Sequence, residues 1–451
     1  MSSSPIERQP RYLSLFIVGL FTIAYFAATC ALASLKPFSL DELDVFEIAQ
    51  LPTADIWRAW FESGDGMPPM VHFATHLVGS ALGLSHITAR LPAMVGFWLM
   101  CVCIFIFLRR RVGLALAAIG MLLPVTAPVA YSYAYEARGY GIVLGFSGAA
   151  MVCWDLAHDS RWRRLALLGL PICLAAAIAT HFYAVLVIVP LALGELARTV
   201  ERRRVDWLLW AGCLAALVVL LPVNPVVAHV RGLREVAMRA HRVSVSELAD
   251  VWSQFLSVSI TYLGLLAIVC LAQGRWSAAV VAPASASGER RLTAADWALA
   301  VSWMALPVGV WLLANLVTGN FMFRYAIVTI VGFGLGVPLL CHMAVRHRPA
   351  IAPWLAGWVA VTAVGSLLAA QYSLRTTTLT TEHIAAGRGC ARLLTLWGRL
   401  PADELPIVVA DFNVFHQLHH YGSEGLRRRL VFVVDHQFGQ LIEPAMPFYA
   451  R

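Results

Sequence analysis

Apolar runs of 16–24 residues, almost free of charge, recur along the chain and are broken by short polar clusters. Runs of this length suit helices that cross a bilayer. They predict helices near 12–35, 88–108, 112–132, 139–157, 164–179, 182–197, 206–224, 255–273, 295–317, 323–343 and 351–371. The pair 164–179 and 182–197 is short for two spans and reads equally as one bent element. Between the first and second runs lies a long polar stretch, 36–87. In it "FSLDELDVFEIAQ" (38–50) places the carboxylates Asp41, Glu42, Asp44 and Glu47 directly after the apolar first helix. After the last run, 372–451 reads as strand, helix, strand at 407–410, 412–420 and 430–434, with period-2 apolar runs around a helical segment.

Composition agrees with the pattern. The chain has 451 residues, 59% hydrophobic and 13% charged, with a mean hydropathy of +0.71. Soluble domains carry about 25% charged residues. The net charge of +8 does not point to nucleic acid, because the basic residues sit in short clusters between apolar runs. With the N-terminus in the cytoplasm, Arg109–Arg111, Arg161–Arg164, Arg198–Arg204, Arg275, Arg290–Arg291 and Arg346–Arg348 all fall inside, as the positive-inside rule requires. The expected fold is an all-α polytopic membrane protein with a small extracytoplasmic α/β C-terminal region. Its transmembrane part is 1–371, with extracytoplasmic loops 36–87 and 225–254, and 372–451 lies on the same outer side. The expected location is a bacterial inner membrane, with the N-terminus cytoplasmic and the C-terminus outside. Segment 278–290 reads as a cytoplasmic linker. Of the 9 cysteines only Cys390 falls in a polar region, and no paired CxxC spacing suggests zinc or disulfides.

Candidate chemistry gathers on the outer side. Asp41 and Glu42 read either as the first turn of a helix capped by Ser39 or as acids able to take a proton from a hydroxyl. Asp44 and Glu47 read as solvated. "GDGMPP" (64–69) is a turn that puts Asp65 on a fixed loop ahead of an amphipathic helix carrying His72. "YSYAYEARGY" (131–140) sets Tyr135, Glu136, Arg138 and Tyr140 at a helix mouth; an Arg there can hold a phosphate or simply pair with Glu136. His181 in "THFYAV" falls in an outer turn. Arg324 and Tyr325 in "NFMFRYAIV" stand at the outer end of a helix, where Arg324 either snorkels to lipid or supplies a second cation. The basic loop residues Arg231, Arg234, Arg239 and Arg242 suit anionic lipid or a solvated face. His416 and His420 share a helix face but lack the Glu of a metal-binding HExxH motif.

The order of these motifs resembles the GT-C membrane glycosyltransferases, in particular the bacterial family 39 type, similar to protein O-mannosyltransferases and lipid A aminoarabinose transferases. The resemblance rests on the acidic pair after the first helix, the Pro68–Pro69 turn, "ARLP" at 89–92, "YEARGY", "THFYAV" and "FRYAIV", and covers about residues 1–345. It implies a sugar donor carried on a polyprenyl phosphate, an extracytoplasmic acceptor and inversion at the anomeric carbon. Asp41 would be the base, supported by Glu42. Asp65, His72, Tyr135, Glu136, Arg138, Tyr140, His181, Arg324 and Tyr325 would face the substrates, with Arg138 and Arg324 on the leaving phosphate. The chain departs from the pattern where many relatives carry a Lys before the Pro-Pro; here Met67 stands, and Lys36 or a loop Arg is the expected substitute. Partners on this reading are the polyprenyl-phosphate sugar, membrane lipids and the acceptor. The sequence assigns no metal ligand and leaves a divalent cation open. It also leaves open a lipid or polysaccharide translocator, or a glycan polymerase or ligase. Charges placed outside the helices favour an enzyme over a transporter with midplane charges.

Overall fold

A computed structural model describes residues 5–63, 68–221, 244–272, 292–318, 321–345, 348–376, 405–409 and 412–432. It is a helical bundle. The first helix, α1, is Pro5–Leu35, followed by three short helices, α2 (Leu40–Ile48), α3 (Thr53–Ser63) and α4 (Met70–Leu82). The bundle continues with α5 (Leu91–Arg109), α6 (Leu114–Thr126), α7 (Pro128–Ser132), α8 (Gly139–Leu156), α9 (Arg163–Thr180), α10 (Ile188–Arg202) and α11 (Trp207–Ala215). Then come α12 (Val245–Phe255), α13 (Val258–Cys270), α14 (Ala294–Met304), α15 (Leu306–Leu313), α16 (Thr329–Val345) and α17 (Ile351–Thr376).

Among the described residues six helices are long and apolar enough to cross a membrane, and three bent pairs raise this to as many as nine. Segments 207–220 and 329–345 are apolar but shorter. The breaks have local causes. Ala127 is extended because Pro128 follows it, and there the chain turns by 74°. Between α12 and α13 it turns by 99° at Leu256–Ser257, where Ser257 Oγ accepts from the Ile260 N–H and starts a new helix. Only the second half of that pair coincides with the expected run 255–273. The expected helices 164–179 and 182–197 are separate: His181 is extended and ends α9, and a 3₁₀ turn, Phe182–Val187, leads into α10.

The core is one continuous apolar cluster running through α1, α5, α6, α8, α9, α14, α16 and α17. Its tightest contact joins α5 and α8. A Cβ on Gly141 would lie 2.4 Å from the Ala93 carbonyl oxygen, and one on Gly145 would lie 2.6 Å from the Gly96 Cα. The two backbones therefore touch, and only glycine fits there.

The two ends of the bundle carry its charge. At the end formed by the last turn of α5 and the first of α14, Arg111 donates to Asp155 at 2.6 Å and to Asp296 at 2.8 Å. Arg110 reaches Asp155 and Asp159, Arg163 grips Asp206, and Arg198 and His158 meet Glu195. Of the basic clusters that the sequence offers as topology signals, Arg110, Arg111 and Arg163 thus have acid partners from other elements, and Arg198 has one a turn away in its own helix. The opposite end holds α2, α4 and the C-terminal segment. That segment pairs two short parallel strands, β1 (Ile407–Val409) and β2 (Leu430–Phe432), around α18 (Phe412–Tyr421) and α19 (Glu424–Arg429). The strand–helix–strand expectation for this part of 372–451 is met. Loop residues 225–243, the linker 278–290 and Cys390 lie outside the described residues.

Candidate active site

Glu42 is the centre of the Asp41 end. It is fully buried and accepts five hydrogen bonds: Arg90 Nε at 2.7 Å, Lys36 Nζ at 3.4 Å, the Ala137 N–H at 2.8 Å, and Ser39 N–H and Oγ at 3.0 and 3.1 Å. The Ser39 contacts are the helix-capping arrangement expected of α2. Lys36 lies six residues before Glu42, while Arg90 and Ala137 come from 48 and 95 residues away in sequence, and together they make it a buried ion cluster. Burial opposes ionisation, but Arg90 and Lys36 outweigh it and hold the Glu42 carboxyl well below the usual carboxylate range.

Arg90 is also fully buried. Its remaining donors cap the last carbonyls of α1 and the link that follows: Ala33 O at 2.5 Å, Lys36 O at 2.7 Å and Pro37 O at 3.0 Å. A cation at a helix C-terminus is favoured by the unpaired carbonyls and the dipole. In the sequence Arg90 stands inside "ARLP" without being singled out. Lys36 Nζ bonds Glu136 at 2.7 Å and is buried. It is engaged with two acids, Glu42 and Glu136.

Asp41 differs from Glu42 in each respect. Its side chain is 46% exposed, and it pairs with a single cation, Arg138 Nη2. Arg138 caps the start of α8, with its guanidinium near the rings of Tyr133 and Tyr140 and Nη1 at 3.8 Å from Glu136. Glu42 binds the Ala137 N–H beside Arg138, so one buried acid fixes both the helix carrying Asp41 and the loop carrying its partner.

An aromatic cluster adjoins this pair. Tyr140 lies 5.2 Å from His181, His181 lies 5.2 Å from Tyr325, and Tyr325 stacks on Tyr183 at 4.5 Å. His181 Nδ1 accepts from the Tyr183 N–H, so the proton of the neutral ring sits on Nε2. Burial, with the charges of Arg138 and Arg324 beside it, pushes the His181 imidazole down to about 3. Nε2 is buried and has no hydrogen-bond partner among the described residues, and neither has Arg324 Nε. An orphaned buried donor costs about 1–3 kcal/mol. Two of them facing one cluster suit an anionic acceptor absent from the chain itself. Arg138 is already occupied by an acid, whereas no carboxylate is found within ion-pair distance of Arg324 among the described residues.

Of the expected site residues, Asp41, Glu42, Glu136, Arg138, Tyr140, His181, Arg324 and Tyr325 come together here. Tyr135 joins them, its ring 5.9 Å from Lys36 Nζ. His72 is buried in α4, whose Val71 packs on Val45 and Ile142. Asp65 lies outside the described residues. Glu47, expected to be solvated, instead meets His416 of α18 at 3.2 Å. His416 and His420, a candidate metal pair by spacing, are used differently: His420 packs its ring against Phe38 and Phe46.

No protein-family model matches the chain, and no curated protein matches it in sequence. Solved structures do match in fold. The fold is shared with ArnT from Cupriavidus metallidurans, solved in two states. The apo structure aligns with a TM-score of 0.61 at 16% identity, covering 95% of this chain and 86% of that one. The structure of ArnT bound to undecaprenyl phosphate aligns with a TM-score of 0.55 at 18% identity, covering 95% and 88%.

Proposed function

We propose that the protein is a membrane glycosyltransferase that moves a sugar from a polyprenyl-phosphate donor to a hydroxyl acceptor on the extracytoplasmic side. The observation that carries this reading is the contrast within the acidic pair. Glu42 is saturated and sealed, while its neighbour Asp41 is half-exposed, held by one arginine, and placed beside two unpartnered buried donors. The fold shared with ArnT bound to undecaprenyl phosphate supports the class of carrier.

The chemistry follows from the geometry. Arg138 orients the Asp41 carboxylate, which takes the proton of the acceptor hydroxyl. The hydroxyl oxygen attacks the anomeric carbon as the bond to the phosphate oxygen breaks, and the anomeric centre inverts. Charge grows on the departing polyprenyl phosphate, where Arg324 and the Nε2–H of His181 can donate to it. A His181 ring kept neutral retains that single proton as a hydrogen-bond donor and does not compete with Asp41 as an acid. The burial that sets this is the same burial that leaves Nε2 unpaired. On this reading the Asp41 end faces outward, with the N-terminus cytoplasmic and 372–451 outside.

The test compares envelope glycans and lipid-linked sugars between a strain lacking the gene, its parent, and the deletion strain carrying wild type or Asp41→Asn. A donor lipid that accumulates in the deletion strain, cleared by wild type and not by Asp41→Asn, is the expected result. Full complementation by Asp41→Asn would sink the catalytic assignment.

A further inference from the structure

The link between α1 and α2, residues 36–39, has every backbone polar group satisfied. The Lys36 N–H bonds Leu32 O, while Lys36 O accepts from Arg90 and His86 Nδ1. Pro37 O accepts from Arg90, the Ser39 N–H donates to Glu42, and Ser39 O accepts from the first turn of α2. The remaining two groups, both on Phe38, are bound by the C-terminal segment. The Phe38 N–H donates to the Tyr421 hydroxyl at 2.7 Å, and Phe38 O accepts from Gln417 Nε2 at 3.1 Å.

The Tyr421 contact continues as a directed chain. Lys36 O can only accept, so His86 Nδ1–H donates to it at 3.2 Å, and Nε2 of the neutral ring accepts from the Tyr421 O–H at 3.0 Å. This sequence requires a neutral His86. Burial and the neighbouring Arg90 both disfavour its protonation. The far end of α2 is held as well, by Glu47 against His416, and its apolar side by Phe46 against His420. Tyr421 also packs on the small buried cluster of Phe38, Leu43, Ala89 and Ala137, next to Arg138. Gln417 is fully buried.

We infer that Gln417 and Tyr421 are positioning residues for Asp41, acting through the backbone of Phe38, so that the C-terminal segment completes the candidate active site without touching a substrate. Asp41 lies three residues beyond Phe38 in the first turn of α2. Among the described residues its own side chain is held by Arg138 alone. Rotation of α2 about its start is therefore resisted by Glu42 from inside and by the two C-terminal side chains from outside. Loss of the outer pair leaves Glu42 in place and frees the direction in which Asp41 points. This inference rests on the transferase reading for its functional half only.

The experiment uses the full chain in nanodiscs, as wild type, Tyr421→Phe, Gln417→Ala and the double variant. Three quantities are read: amide hydrogen exchange across the helices, affinity for undecaprenyl phosphate, and complementation of the glycan phenotype of the deletion strain. In the double variant we expect amides of 38–48 to exchange about tenfold faster, with 91–109 and 139–156 unchanged. Affinity for undecaprenyl phosphate should stay within about twofold, and complementation should be lost at normal protein level. Unchanged exchange at 38–48, or equal acceleration in every helix, would refute the clasp. Faster exchange at 38–48 with full complementation would refute its positioning role. Full activity of Asp41→Asn would instead refute the transferase reading and leave the exchange result standing.

Discussion

At one end of the bundle Arg111 is gripped by Asp155 and Asp296, and the surrounding cations Arg110, Arg163 and Arg198 each meet an acid from another turn or helix. At the other end Arg90 and Lys36 grip Glu42 in the same manner. The difference lies in what is left over. The four cations Arg110, Arg111, Arg163 and Arg198 are each matched with an acid, as in a structural fastening. The Asp41 end builds an equally closed fastening and then adds a half-exposed carboxylate and, among the described residues, a cation with no acid and a buried N–H with no acceptor. Buried ion networks alone say little about function, since they also serve to hold helices together. The surplus beside the network is the informative part.

This comparison can be broken in several ways. The largest effect is expected from Asp41→Asn, which should lower transfer by about 10²–10⁴-fold through loss of a general base while leaving thermal unfolding unchanged. Asp296→Asn should do the reverse, lowering stability with the catalytic groups intact. A fall in transfer from Asp296→Asn at equal protein level would erase the distinction between the ends. Next come the fastenings themselves. Arg90→Leu and Arg111→Leu each remove the nearest cation from a buried carboxylate, and each should cost about 3–5 kcal/mol of stability, read as chemical denaturation in detergent. An Arg90→Leu protein as stable as wild type would mean that Glu42 is not the anchor described.

Smaller and more selective is the effect of the leftover donors. Arg324→Ala and His181→Gln should each weaken undecaprenyl phosphate binding about tenfold, or about 1.4 kcal/mol, with little change in stability. Equal weakening by a substitution at Arg163 would assign the lipid to the wrong end. The smallest expected change concerns pH. His420 titrates at about 4, below its ordinary 6.5, chiefly because of burial, with Glu47, His86, His416 and His419 nearby. The unfolded chain therefore binds more protons in that interval. The contribution of His420 is complete above pH 6.5 and is lost as pH falls toward 4. The lowered Glu42 carboxyl has its window further down, its contribution declining only below its ordinary 4.5. Protection of 405–432 from exchange should thus weaken at higher pH than protection of 38–48. The opposite order would contradict the assignment of the two groups.

Sequence reading recovered the spans because a bilayer demands long uncharged runs, and that signal is local. It singled out Asp41, Arg138, His181 and Arg324 because each is a polar residue at the end of such a run, and the structure gathers them at one place. It did not single out Arg90, since a lone arginine at a helix start has no periodic mark. The groups that explain it, the carbonyls of Ala33, Lys36 and Pro37, are backbone atoms 53–57 residues away. Nor did it separate Glu42 from Asp41 in burial, because adjacent residues of a helix differ by about 100° in direction and only the neighbours decide which one is covered. The pairing of Glu47 with His416 was out of reach for the same reason, joining residues at opposite ends of the chain. The 99° break at Leu256–Ser257 has no proline to announce it.

The backbone contact of α5 with α8 has a mechanical consequence. With Gly141 and Gly145 seated on Ala93 and Gly96, no layer of side chains remains in which one helix could slide along the other. Arg90 and Arg138 stand at the starts of these two helices and so keep a constant separation, like marks on a ruler. Any rearrangement of the bundle must carry these two arginines together. Elsewhere the chain kinks by 48° between α14 and α15, and Arg324 follows on a short 3₁₀ turn before α16. The partner of Asp41 is thus mounted on a rigid gauge, and Arg324 on a stretch of chain where the helices are broken.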